Sequence, residues 1–200
     1  RFVPYILCVF CVPVCFGGLG DADDGYLTAG EYDYAVQVEN SDQLIVMGGG
    51  ADRITAEDTS KIIVEYTSTP LSHNTGIYDI MLHDSSELHY LGGITEEITL
   101  KYDATAHLKG GRIDAITLFR RPVDSTLVTI YCQEGWSWLY NAAEISGITG
   151  LWGDGDRFEI QFVDVDPFPA AWNYVNVEIV PEPATMALLG LGGLLLRRKR

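Results

Sequence analysis

Four histidines and two acidic pairs are the side chains of this chain whose types and spacing best suit metal binding. His89 and His107 stand eighteen residues apart, and His73 and His83 lie on other segments. Imidazole suits zinc and its neighbours, but a site needs three or four donors converging on one point. No Cys, Ser or carboxylate completes a recognisable constellation around these histidines. We therefore read His89 and His107 as a surface ladder on adjacent turns of a repeat, not as a metal site. Asp154 and Asp156, in Gly153-Asp154-Gly155-Asp156, and Asp164 and Asp166, in Asp164-Val165-Asp166, are weak calcium candidates. Calcium takes about six to eight oxygens, and solvated turn carboxylates are the simpler reading. No cofactor and no catalytic residue is expected.

A second chemistry is carbohydrate binding. Trp136, Trp138 and Trp152, with Trp172, Tyr131 and Tyr140, could form an aromatic platform for sugar rings. The same rings could close the end of a β body, and packing is the preferred reading. A small polysaccharide lyase is a further alternative. It would use a basic residue beside bound calcium, and Arg53, Lys61, Lys101, Lys109, Arg112, Arg120 and Arg121 run along the body. A short body offers such an enzyme little cleft.

The elements that must position these residues are strands. Val, Ile, Thr and Tyr dominate the middle of the chain, broken by Gly, Asp, Asn and Ser, without sustained helical periodicity. Period-two alternation recurs in Leu44–Val46, Lys61–Tyr66, Ile98–Tyr102, Phe158–Phe162 and Val175–Ile179, which predicts strands. A longer repeat underlies them. Polar turns open at Asn40, Asp58, Asp84 and Asp103, at intervals of 18, 26 and 19 residues, and an aliphatic follows each four or five residues later. Three units then reach a Gly pair, at Gly48-Gly49, Gly92-Gly93 and Gly110-Gly111, and Thr67–Gly76 reads as an inserted loop. A weaker fifth unit opens at Asp124.

Such a period with strands this short predicts a right-handed parallel β-solenoid, with aliphatic ladders inside and glycines of positive φ at the corners. A β-sandwich is the alternative. From about Tyr131 the texture becomes aromatic, and Ile148–Phe162 reads as two strands joined by Asp154-Gly155, a hairpin signal. That segment would form an antiparallel cap over the open end.

Composition bounds the partners. The formal charge is −15, and five of the thirteen cations, Arg1, Arg197, Arg198, Lys199 and Arg200, sit at the two ends. The body is more acidic still, which excludes nucleic-acid binding through phosphate neutralisation. At the N-terminal end, Arg1 precedes an uncharged run from Phe2 to Leu19, and Asp21-Ala22-Asp23-Asp24 follows. This is the layout of a secretory signal peptide over residues 1–20. Cys8, Cys11 and Cys15 fall inside it, so the mature chain would keep Cys132 alone, as a small buried hydrophobe.

The other end reads Val180-Pro181-Glu182-Pro183-Ala184-Thr185, then an apolar run through Leu196, then Arg197-Arg198-Lys199-Arg200. The prolines hold Glu182 on an extended peptide, and the terminal cations stay cytoplasmic. The apolar stretch from Ala184 to Leu196 is thirteen residues, against roughly 20 for a bilayer span. It therefore suits transient docking as a short transmembrane segment better than a lasting anchor. In this order of parts the tail resembles the PEP-CTERM sorting signal, which is read by exosortase, a membrane-embedded cysteine transpeptidase. The alternation of Asp-Ser turns and Gly-Gly corners over roughly residues 30–130 is also similar to the bodies of many PEP-CTERM proteins.

What the resemblance implies is a route. The partners would be the general secretion machinery and exosortase, with transient inner-membrane insertion, cleavage near Pro-Glu-Pro, and delivery to the cell envelope or outside. The expected organisation is a signal peptide at 1–20, a solenoid-like body at 21–130, a β cap region at 131–179 and a sorting segment at 180–200. The expected role is a non-enzymatic exported surface or matrix protein, with extracellular polysaccharide as a further candidate partner.

Overall fold

The computed structural model describes residues 25–29, 31–67, 76–119, 127–166 and 168–181. The expected signal peptide, most of the inserted loop, the unit opening at Asp124 and the residues from Glu182 onward lie outside them. The described chain is all-β, built as one parallel and one mixed sheet.

The first sheet holds β1 (Gly25–Thr28), β3 (Gln43–Met47), β5 (Lys61–Tyr66), β7 (Glu87–Tyr90), β9 (Thr105–Leu108), β11 (Val128–Cys132) and β15 (Val175–Ile179), in that order. The second holds β2 (Tyr32–Val38), β4 (Gly50–Ala56), β6 (Ile77–Leu82), β8 (Ile94–Lys101), β10 (Arg112–Phe119) and β14 (Arg157–Val163), continued by β13 (Glu144–Leu151) and β12 (Ser137–Asn141). From β1 to β11 the chain changes sheet at every step and pairs in parallel with the strand two before it.

The register brings chemically alike residues into line. In the first sheet Leu44, Ile62, Leu88, Ala106, Val128 and Val175 are successive partners. In the second, Val36, Ile54, Ile80, Ile98, Ile116 and Phe162 are. Both ladders belong to one buried cluster, with Val36 and Val175 at their ends partly covered. β-Branched and aliphatic side chains at period two supply each sheet with one apolar face, and apposing the two faces removes both from water. Leu44 pairs with Ile62 across eighteen residues, whereas Ile62 pairs with Leu88 across twenty-six. The longer interval holds the expected insertion.

The turns between sheets correct one expectation. Asn40, Asp58 and Asp84 take left-handed conformations with φ of 58°, 57° and 55°, and in the next unit Tyr102 takes it, with φ 58°, instead of Asp103. Leu88 pairs with Ala106, so the unit opens at Tyr102 and the interval is eighteen. The turns stack by backbone bonds: Thr59 N–H donates to Asn40 O at 2.9 Å, Ser85 to Asp58 at 2.9 Å and Asp103 to Asp84 at 2.8 Å. At the opposite corner Gly93 and Gly111 have φ of 99° and 79°. A Cβ on Gly111 would lie 2.6 Å from the Gly93 carbonyl oxygen, so both conformation and space require glycine there.

The aromatic segment forms two antiparallel pairings, β12 with β13 and β13 with β14. The turn after β13 closes with Trp152 N–H donating to Asp156 O at 2.8 Å and Gly155 in positive φ. The β12–β13 turn was not legible, because Ala142 and Ala143 carry its positive φ values without a glycine. A 3-10 helix, Ala171–Tyr174, then returns the chain to the first sheet.

Candidate functional site

Strand period and parallel register together gather a polar group on the first sheet. Glu87 and His89 are two apart on β7 and so share a face, while His89 pairs directly with His107 on β9. Their imidazoles lie 5.0 Å apart, tilted by 32°. Glu87 Oε1 is 2.6 Å from His89 Nε2 and 3.7 Å from His107 Nε2. The donor atoms of Glu87, His89 and His107 all fall within 4.8 Å of one another, and this is the one three-donor group among the described residues.

Around the three, each neighbour has a definite contact. Lys61 Nζ lies 3.2 Å from Glu87 Oε2, which leaves Oε1 to the histidines. His107 Nδ1 is 3.2 Å from the Tyr131 hydroxyl. Lys109 Nζ sits 4.9 Å from the centre of the Tyr131 ring, a cation–π distance. Burial raises the Glu87 carboxyl, but hydrogen bonds and charge from His89 and Lys61 outweigh it, and the group ends below the ordinary glutamate value. Burial, then the neighbouring His89 charge, holds His107 below the ordinary histidine value. Burial, then Glu178, raises the Tyr131 phenol.

Sequence reasoning found the His89–His107 ladder and missed Glu87. The signal was present: Glu-x-His on a strand puts both side chains on one face, and the eighteen-residue repeat delivers His107 beside them. His83 lies outside the group, and His73 lies outside the described residues.

The other candidates are placed differently. Trp152 is wholly buried, its ring 4.2 Å from Phe158 and its Nε1–H donating to Gly111 O at 2.8 Å. This corrects its place in an exposed sugar platform, because neither face of a buried indole can meet a ligand. Trp136 and Trp138 are half-buried and form a T-shaped pair 5.0 Å apart against the core. The weak calcium candidates serve turns: Asp154 Oδ1 accepts from Asp156 N–H at 3.0 Å, and Asp164 Oδ1 accepts from Ala171 N–H at 2.8 Å. Asp166 is exposed and joins no three-donor group among the described residues.

Cations of the body lie on both sheets. Lys61 belongs to the first, while Arg53 (3.0 Å from Asp79), Lys101 (5.7 Å from the Phe119 ring) and Arg112 (2.8 Å from Asp114) belong to the second. Cys132 is buried and free, and burial raises its thiol.

Of the sorting residues, Val180 and Pro181 are described, and Glu182, Pro183, Ala184, Arg197, Arg198, Lys199 and Arg200 are not. Val180 N–H donates to Cys132 O at 2.8 Å, so ordered pairing runs up to the first residue of the tail. Among the described residues no helix is long and apolar enough to cross a membrane. No curated protein and no solved structure matches the chain. The family model of the PEP-CTERM protein-sorting motif matches residues 180–200. That motif implies an exported protein of the cell envelope or surface, with exosortase as its sorting partner. The β body therefore leads directly into a PEP-CTERM sorting motif, and the chain carries that signal at residues 180–200.

Proposed function

We propose that this chain is a non-enzymatic protein of the cell surface or extracellular matrix, delivered by exosortase and cut near Pro181-Glu182-Pro183. The observation that carries the reading is the junction. Val180 still bonds to Cys132, and the sorting motif starts at the same residue. A cut beyond Val180 leaves β15, its pairing with β11 and the Val180–Cys132 bond intact.

In the same reading the body is a short right-handed parallel β-solenoid with an antiparallel cap. Parallel pairing of strands eighteen residues apart supports it, because a hairpin-linked sandwich pairs its strands antiparallel. Handedness follows the rule that about 98% of parallel crossovers are right-handed. Residues 1–20 act as the signal peptide, and the tail enters the inner membrane only in transit. The sugar-binding alternative rests on Trp136 and Trp138, and their T-shaped pairing occupies ring surface that a sugar would need.

Expression in hosts with and without exosortase tests the route. Intact-mass analysis should find a C-terminus near Pro181 only where the enzyme is present. The same terminus in both hosts overturns the proposal.

A further inference from the structure

We propose that Glu87, His89 and His107 form a binding site for a zinc-class divalent ion on the outer face of the first sheet. The site is independent of the sorting route and would persist whatever the fate of the tail.

The donor set selects the metal. Two imidazole nitrogens and one carboxylate oxygen suit zinc, whereas calcium and magnesium prefer all-oxygen shells. The geometry is close to what zinc demands. Bonds of about 2.0–2.2 Å in a tetrahedron place the donors about 3.3–3.5 Å apart. The donors here stand 2.6 Å and 3.7 Å from Glu87 Oε1 to the two Nε2 atoms, with all three inside 4.8 Å. Side-chain rotation closes that difference without moving either strand, because His89 and His107 are register partners held by the β7–β9 ladder.

The surroundings are those of a supported site. His107 Nδ1 lies 3.2 Å from the Tyr131 hydroxyl; in the tautomer that carries its proton on Nδ1 the ring donates there, which orients it and leaves Nε2 free to bind. A second-shell bond of this kind usually accompanies a ligating histidine. In the metal-free chain, Nε2–H of His89 donates to Glu87 Oε1. Binding replaces that proton by the ion, and His89 carries its remaining proton on Nδ1. Lys61 fixes Oε2 of the carboxylate, so Oε1 is the oxygen offered. The side chains of Glu87, His89 and His107 are 37%, 26% and 30% exposed, which leaves an approach from solvent and a fourth position for water. Lys61 and Lys109 lie beside the site and oppose the added charge.

The test is calorimetric titration with zinc chloride of the full, untagged chain carrying Cys8→Ser, Cys11→Ser and Cys15→Ser, so that no N-terminal thiolate competes for the ion. One ion per chain is expected, with no comparable binding of calcium or magnesium. His89→Gln and His107→Gln should each weaken binding at least ten-fold. Tyr131→Phe should weaken it by roughly ten-fold, as a positioning residue, and His83→Gln should leave it unchanged. Circular dichroism of each metal-free variant checks the fold. Absence of zinc binding, or equal binding after both His→Gln substitutions, overturns the proposal. If a histidine variant does not fold, cobalt replaces zinc in the chain carrying only the three Cys→Ser changes: four-coordinate visible absorption upholds the site, and the pale spectrum of the six-coordinate aquo ion overturns it.

Discussion

At the scale of single residues, the Glu87 group makes the fold sensitive to acid. His107 sits below its ordinary value of 6.5 in the folded chain, so as pH falls the unfolded chain takes up the proton first. Its contribution to stability is complete above about 6.5 and is lost progressively below that. Glu87 also sits below its ordinary value of 4.5, and its contribution is lost only as pH falls further. Both act in the same direction. Thermal unfolding of the metal-free chain followed from about pH 7.5 to about pH 5.5 should show declining stability. His107→Gln should flatten that decline, because glutamine does not titrate. An unchanged slope would mean that the acid response originates elsewhere.

At the scale of elements, the turns carry the most local strain. Tyr102 holds φ 58° with 62% of its surface exposed, in a conformation that asparagine and aspartate adopt at less cost. Tyr102→Asn loses little packing and should stabilise the chain by about 0.5–1 kcal/mol in denaturant unfolding. A loss of stability would show that the tyrosine ring contributes more than its exposure suggests. The same residue marks where sequence reading stopped. Asp103 is the better turn former and drew the repeat one residue out of register, whereas the aliphatic ladder puts Ala106 opposite Leu88 and forces the turn onto Tyr102. Burial of a ladder outweighs a local preference. Strand positions, the eighteen-residue interval and the Gly corners were legible, because period-two patterning and positive φ are written in residue types. The Ala142-Ala143 hairpin was not, since nothing in two alanines signals a left-handed turn. Of the candidate site, the histidine pair was legible from its spacing. Glu87 required strand phase as well.

At the scale of the whole molecule, the cap and the ladders form one cooperative core. Trp152 joins them, stacked on Phe158 of β14 and bonded to the Gly111 corner before β10. Trp152→Ala removes a fully buried indole and should cost about 3–5 kcal/mol, seen as a lower denaturant midpoint for a single transition. A change below about 1 kcal/mol, or a second transition, would separate the cap from the rest. The interval of twenty-six residues between Ile62 and Leu88, against eighteen between Leu44 and Ile62, has a consequence for how such a gene can change. Eight additional residues leave the pairing on either side undisturbed. Insertions at one corner and duplications of an entire rung are therefore independent edits, the first altering what the surface displays and the second altering how tall the protein stands.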